Sequence, residues 1–303
     1  MAATNPSAIY NPNTTMQLID ENLYTDTEVL GTSYVPDVTG NVETNYAGDK
    51  LVIPIDVEVE GNAGVITNPV NGTVSAYDTN QIDFVEVTIK RGLYNLADDN
   101  YSLAKMARLT NPEQWLAERF LKKAKGTIYN EMKSVLDGVA AGYKTDISAE
   151  VGSDAYLSLN NGIKKNNKKF FGDKGRQEKA LVIINSAPML DIEGDTTVQT
   201  SLQYGSRNDE AAWLGLAGFN WHTNDVVTTS GTGSSTTYNT YMVLPGGLSM
   251  YFRIVPELFG DQVRIPGTTA FNTIFAFDYA VFETPGSYNR LGHIKSKASY
   301  DAA

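Results

Sequence analysis

The sequence predicts an α+β fold organised around one long amphipathic helix, and three observations predict it. Apolar residues recur at helical spacing from Pro112 to Leu136, apolar and polar residues alternate over Lys50–Val59 and Ile82–Lys90, and an aromatic stripe runs through Phe271–Phe282. The first pattern buries one helical face, the second one face of a strand, and the third needs a large apolar surface to lie on.

Residues 1–47 come first, rich in Asn, Thr, Asp and Pro, with short apolar patches at Met16, Leu18, Ile19 and Leu23. No period is sustained there, so the segment reads as an extended N-terminal arm. From Lys50, Leu51, Ile53, Ile55, Val57 and Val59 alternate with polar residues, Val52 and Pro54 aside. A return run places Val85, Val87 and Ile89 on one side. Between the two lie Gly61, Gly64, Asn68-Pro69 and Asn71-Gly72, a series of turn signals. Residues 48–91 therefore read as a long hairpin whose tip lies around Val65 to Thr73. A two-stranded ribbon alone is marginal in water. The apolar side chains of this one, Val57, Val59, Val65, Ile66 and Val70, with Asn71 at the tip, need a covering surface on another molecule or on the same domain.

Residues 92–143 carry the long helix at 112–136. Asn111 suits the N-cap, Pro112 the first helical position, and Gln114 the third position of a capping box. Leu116, Phe120, Leu121, Ala124, Ile128, Met132, Val135 and Leu136 form the buried face, and Asp137-Gly138 stops the helix. At about 1.5 Å per residue it spans about 37 Å. Gly126 in its middle suggests a close contact or a bend. Lys122, Lys123 and Lys125 read as a solvated face that would also suit an acidic partner.

Residues 144–256 read as a mixed unit. It comprises a helix from Ser153 to Asn166, a buried strand at Ala180–Ile184, a short helix at Pro188–Glu193, a loop over 194–212, and a strand near Phe219–Thr223. The stretch Thr228–Thr237 reads as a flexible connection, and Tyr241–Leu244 with Leu248–Val255 as a hairpin about Pro245-Gly246-Gly247. Residues 257–303 hold the best strand, in which Phe271, Thr273, Phe275, Phe277, Tyr279 and Val281 share a face. The apolar face of the long helix is its expected partner, so Phe275, Phe277 and Tyr279 should pack with Leu116, Phe120, Ala124 and Ile128.

Little in the sequence points to chemistry. There is no cysteine, which removes disulfides and thiolate sites, and only His222 and His293 are present. His222, between Trp221 and Thr223, reads as a packing residue. Gly172-Asp173-Lys174-Gly175 lacks the spacing of a phosphate loop and reads as a loop. Asp98-Asp99-Asn100 lacks the pattern of a calcium loop. No pair of carboxylates stands out as a glycosidase pair. The net charge of −11 opposes tight binding to phosphate backbones. No run approaches the roughly 18–20 apolar residues of a membrane helix, and Met1–Ile9 lacks the blocks of a signal peptide. No enzyme, cofactor, metal or membrane association is expected.

In this order the elements resemble the major capsid protein of tailed bacteriophages, the Hong Kong 97-type capsid fold. GDKLVIPIDVEVEGNAG with QIDFVEVTIKRG is similar to its extended loop, and NPEQWLAERFLKKAKGTIYNEMKSVL to the spine helix of its peripheral domain. ALVIINSAPMLDIEG and LAGFNWHTNDVV resemble parts of its axial domain, and FNTIFAFDYAVFETPG resembles the long strand that closes the peripheral domain.

The resemblance implies a structural subunit that assembles as hexamers and pentamers into an icosahedral shell around double-stranded DNA. The shell would be built in the host bacterial cytoplasm and found in the virion. It implies contacts between subunits through the arm (Met16, Leu18, Leu23) and the hairpin, a portal, a separate scaffolding protein, and room for a decoration protein. No Lys–Asn cross-link pair is assigned. An encapsulin-type nanocompartment and a phage tail or decoration protein are the alternatives, with an acidic glycan hydrolase behind them.

Overall fold

The computed structural model describes residues 11–25, 29–39, 50–56, 82–95, 108–139, 141–149, 155–172, 174–194, 219–225, 229–230, 236–264, 271–284 and 290–298. The first element, helix α1 (Pro12–Thr25), replaces the extended structure expected of the N-terminal segment. Its apolar residues are too few to mark a helical face in isolation. It is stabilised by docking: Ile19 is buried and Met16 and Leu18 pack partly against the same core as the long helix. Most helical stability in proteins comes from such packing.

The long helix, α2, runs from Pro112 to Asp137 with Pro at its start. Its N-terminus differs from the expected capping box. Asn111 makes no side-chain cap bond, and the Gln114 amide donates instead to Glu118, one turn on, at 2.9 Å. Glu113, in the first turn, accepts the backbone N–H of Asn11 at the start of α1 at 3.0 Å, so it ties the two helices together from a position where a carboxylate also suits the dipole of the long helix. Leu116, Phe120, Ala124, Ile128, Met132 and Leu136 are all buried. Gly126 marks no close contact, since an added Cβ would meet nothing within 4 Å.

Against this face lies a three-stranded antiparallel sheet in the order β3 (Lys90–Asn95), β10 (Phe271–Glu283), β9 (Leu248–Arg264). Phe275, Phe277, Tyr279 and Val281 are buried in one cluster with the long helix. The Phe120 and Phe275 rings stack with centroids 4.8 Å apart, and Phe277 and Tyr279 continue the row at 5.0 Å. Gly92 stands opposite Phe277, leaving room for its ring.

The second sheet follows the order β4 (Lys144–Asp146), β11 (Leu291–Ser296), β8 (Thr237–Val243), β5 (Leu181–Ile184), β6 (Asn220–Thr223), with the short β7 (Thr229–Ser230) paired to β8. Alternation sends Leu181, Ile183, Tyr241 and Val243 towards the core of the long helix. Val182, Ile184, Met242 and Leu244 point the other way, into a cluster with Leu159, Ile163 and Ile192. Those last residues come from α3 (Ala155–Phe170) and α5 (Ser186–Gly194). A strand covered on both faces reads as a continuous apolar run, as Leu181–Ile184 does. Between the helices, the expected loop at Gly172–Gly175 runs into a one-turn helix, α4 (Lys174–Gln177). The expected connection at Thr228–Thr237 contains β7. The expected loop over 194–212 lies outside the described residues beyond Gly194, as does Asp98-Asp99-Asn100.

The hairpin expected about Pro245-Gly246-Gly247 does not form. β8 belongs to the second sheet and β9 to the first. Gly246 makes the turn at φ +70°, but its N–H donates to Ser33 at 2.7 Å, and Met250 N–H donates to Pro36 at 3.0 Å. The segment 33–38 thus takes hydrogen bonds that a returning strand would use. The boundary expected at residue 256 does not follow the sheets either: β9 pairs throughout with β10, and β11 returns to the second sheet.

Candidate assembly interface

The stem of the hairpin consists of β1 (Lys50–Asp56) and β2 (Ile82–Thr88), antiparallel, with Leu51 opposite Val87 and Ile53 opposite Val85. These four side chains share one face, and their burial fades along it. Leu51 is fully buried beside Ile89, Tyr251, Ala280 and Phe282 on the outer face of the three-stranded sheet, whereas Ile53 and Val87 are only partly covered. Val85 is 37% exposed. Lys50 and Glu86 form an ion pair on the opposite face, and Lys90 ties the start of β3 to Glu131 of the long helix. The rest of the chain therefore anchors the base of the stem and covers it less within two residue pairs. The residues expected to touch a neighbour, Val57, Val59, Val65, Ile66, Val70 and Asn71, lie outside the described residues.

Of the expected contacts in the N-terminal segment, Met16 and Leu18 sit half-buried on the subunit's own core. Leu23 falls in α1, but its side chain lies outside the described residues. After α1, Val29, Leu30 and Val35 are buried, and Tyr34 donates to the Lys179 carbonyl at 2.9 Å. The segment thus bridges the two sheets.

A polar junction that periodicity does not reveal joins the long helix to the second sheet. Asp137, at the helix end, accepts from the Tyr241 hydroxyl at 2.6 Å and from Lys133 at 3.0 Å. The Tyr241 ring stacks on His293 at 5.0 Å, and His293 Nε2 lies 3.0 Å from Asn239 Oδ1. Burial disfavours the charge on Asp137, but the bonds from Tyr241 and Lys133 outweigh it and hold the carboxyl below its ordinary value. Burial likewise pushes His293 down to about 4, against the pull of Asp137. It raises Tyr241, and Asp137 raises it further. A neutral imidazole and a phenol locked as a donor fasten a helix to a sheet. The arrangement offers no activated nucleophile.

On the other face of the three-stranded sheet, buried Asp278 receives Arg253 through Nε at 3.1 Å and Nη2 at 2.6 Å. Such a charge is tolerable only when paired in this way. His222 packs its ring over Tyr129 at 6.4 Å. Among the described residues no group of three or more His, Asp or Glu is placed to hold a metal ion, and no helix is long and apolar enough to cross a membrane.

No protein-family model matches the chain, and no curated protein does. Solved structures do. The chain is similar to one in the cyanophage Pam1 capsid asymmetric unit at 14% identity, covering 91% of this chain and 94% of that one, with a TM-score of 0.55. It is similar to one in the capsid of Ralstonia phage GP4 at 11% identity, covering 89% of each chain, with a TM-score of 0.56. A third likeness, to the satellite phage P4 procapsid including its size determination protein, has 9% identity, covers 92% and 90%, and also scores 0.56. At these identities the likeness is one of fold, and it covers about nine-tenths of each chain. In a chain whose long helix lies across a three-stranded sheet and whose second sheet carries helices, this similarity identifies the fold: the chain has the fold of phage capsid proteins, the Hong Kong 97-type α+β fold.

Proposed function

We propose that the chain is a major capsid protein, a structural subunit that assembles as hexamers and pentamers into an icosahedral shell enclosing phage double-stranded DNA. The observation that carries this reading is the hairpin stem, whose apolar face passes from full burial at Leu51 to exposure at Val85 while the sequence continues the alternation through Val57 and Val59. An apolar ribbon that leaves its own core needs cover from elsewhere, and copies of the same chain supply it in a shell. Repeated modest contacts suit such closure. The capsid fold supports the same reading.

A separate scaffolding protein and a portal belong to the proposal, as does a site for a decoration protein. So do assembly in the host bacterial cytoplasm and residence in the virion. Electron microscopy of the purified chain, with and without a scaffolding partner, tests it. Rings, sheets or closed shells are expected. Persistent monomers across salt, pH and concentration would sink the reading.

A further inference from the structure

The net charge of −11 is unevenly spread. Residues 164–179 hold seven of the chain's 24 lysines and arginines, namely Lys164, Lys165, Lys168, Lys169, Lys174, Arg176 and Lys179, against Asp173 and Glu178. Glu178 is already taken by Arg290 at 3.0 Å. Helix α3 contains no acidic residue at all. Leu159, Asn160, Gly162, Ile163, Asn166 and Phe170 form its buried side, and from Leu159 onwards its exposed positions are Asn161, Lys165, Lys168 and Lys169. Spacings of three and four residues place these on one face.

Among the described residues, none of Lys164, Lys165, Lys168 and Lys169 has an acidic partner. Lys169 rests over the Phe170 ring, 5.1 Å from its centroid. Burial lowers the pKa of Lys164, as expected of a cation short of a counter-charge. The helix dipole favours the two lysines of the last turn, but it accounts neither for Lys164 and Lys165 nor for the absence of acids.

We infer that the exposed face of α3 is a contact surface for the phosphate backbone of duplex nucleic acid, and thus faces the interior of the shell. Two features favour phosphates over a protein partner. Lysine is depleted at the cores of protein interfaces, and among the described residues, from Asn161 to Lys169, this face offers no exposed aromatic or aliphatic anchor of the kind that carries protein association. Flexible, strongly hydrated ammonium groups suit a repeating row of phosphates with no sequence to be read. The contact refines the expectation drawn from net charge: the subunit as a whole repels DNA and touches it at one place. The orientation within a shell rests on the capsid reading. The binding itself does not.

The test uses the purified full chain and a 30-base-pair DNA duplex, with binding followed by fluorescence anisotropy across a salt series. Binding is expected at about 50 mM salt and should weaken steeply with added salt, as counterion release requires. Replacing Lys165, Lys168 and Lys169 together by Gln should weaken it at least tenfold and lower the salt slope by about 2–3, with the circular dichroism spectrum unchanged. Replacing Lys122, Lys123 and Lys125 by Gln makes the same change in charge on the long helix and should leave binding within twofold. No binding by the parent chain, or equal losses in the two variants, would overturn the inference. So would polyglutamate displacing the duplex at equal charge concentration, which would assign the face to an acidic polypeptide. Shell formation is scored separately by microscopy, so shells with unchanged DNA binding in the α3 variant reject this contact alone.

Discussion

At Thr240 a hydroxyl is enclosed with no partner among the described residues: the side chain is fully buried in β8 and its Oγ1 lacks a hydrogen bond. An unpaired buried polar group carries its full desolvation penalty. Thr240→Val keeps the shape and suits a strand, so it should raise subunit stability by about 1 kcal/mol, read as a higher urea midpoint with unchanged slope. His293 sets a pH dependence of definite sign. Its folded pKa of about 4 lies below the ordinary 6.5, so the unfolded chain binds the proton more readily. The associated stability is complete above about pH 6.5 and is lost as pH falls towards 4. Asp137, also held low, adds a loss at still lower pH, as its carboxyl protonates. Stability measured by urea should therefore fall by about 2–3 kcal/mol between pH 7 and pH 4.5 from His293. In His293→Gln that slope should shrink by one proton. A flat profile in the parent chain over this range would contradict the buried, neutral imidazole.

At the scale of elements, two glycines make opposite predictions for the same substitution. Gly92 in β3 would place a new Cβ 2.4 Å from the Phe277 ring, and that ring is fixed between Phe275 and Tyr279. Gly92→Ala should cost the subunit about 1–3 kcal/mol. Gly126 sits inside the long helix with open space around it, so Gly126→Ala should stabilise the free subunit by about 1 kcal/mol. If it also impairs assembly, a neighbour approaches the helix there. The pairing of helix and aromatic strand was legible because Phe120 and Phe275 lie on apolar faces with clear periods of 3.6 and 2. Helix α1 was not, because among its described residues one buried apolar side chain, Ile19, and two half-buried ones, Met16 and Leu18, make no period. Its stability comes from the helix it docks on. The turn at Pro245-Gly247 was legible as a turn but not as a change of sheet. The partner that diverts β9 is the segment 33–38, some two hundred residues away, and turn chemistry carries no record of it.

For the whole molecule, the same limit separates what the chain fixes alone from what the proposed assembly assigns to other copies. The core joins α1, the long helix, both sheets and the segment 29–39 through one continuous apolar cluster, so removing a part that does not touch it should leave the fold intact. The stem is anchored at Leu51 and already exposed at Val85, and residues 61–76 lie farther along the chain from that anchor. Deleting Gly61–Ala76, with a two-residue turn to rejoin the strands, should shift the urea midpoint of the isolated subunit by less than about 0.5 kcal/mol equivalent, the range of changes remote from a core. Assembly should fail or yield irregular sheets under conditions where the parent chain forms shells. The two readouts must be taken together. A deleted chain that unfolds would place the hairpin in the subunit's own core, and a folded one that assembles normally would move the contacts to the N-terminal segment or the sheet face around exposed Leu93 and Val255. Only a stable subunit with impaired assembly matches an apolar ribbon whose cover belongs to another copy.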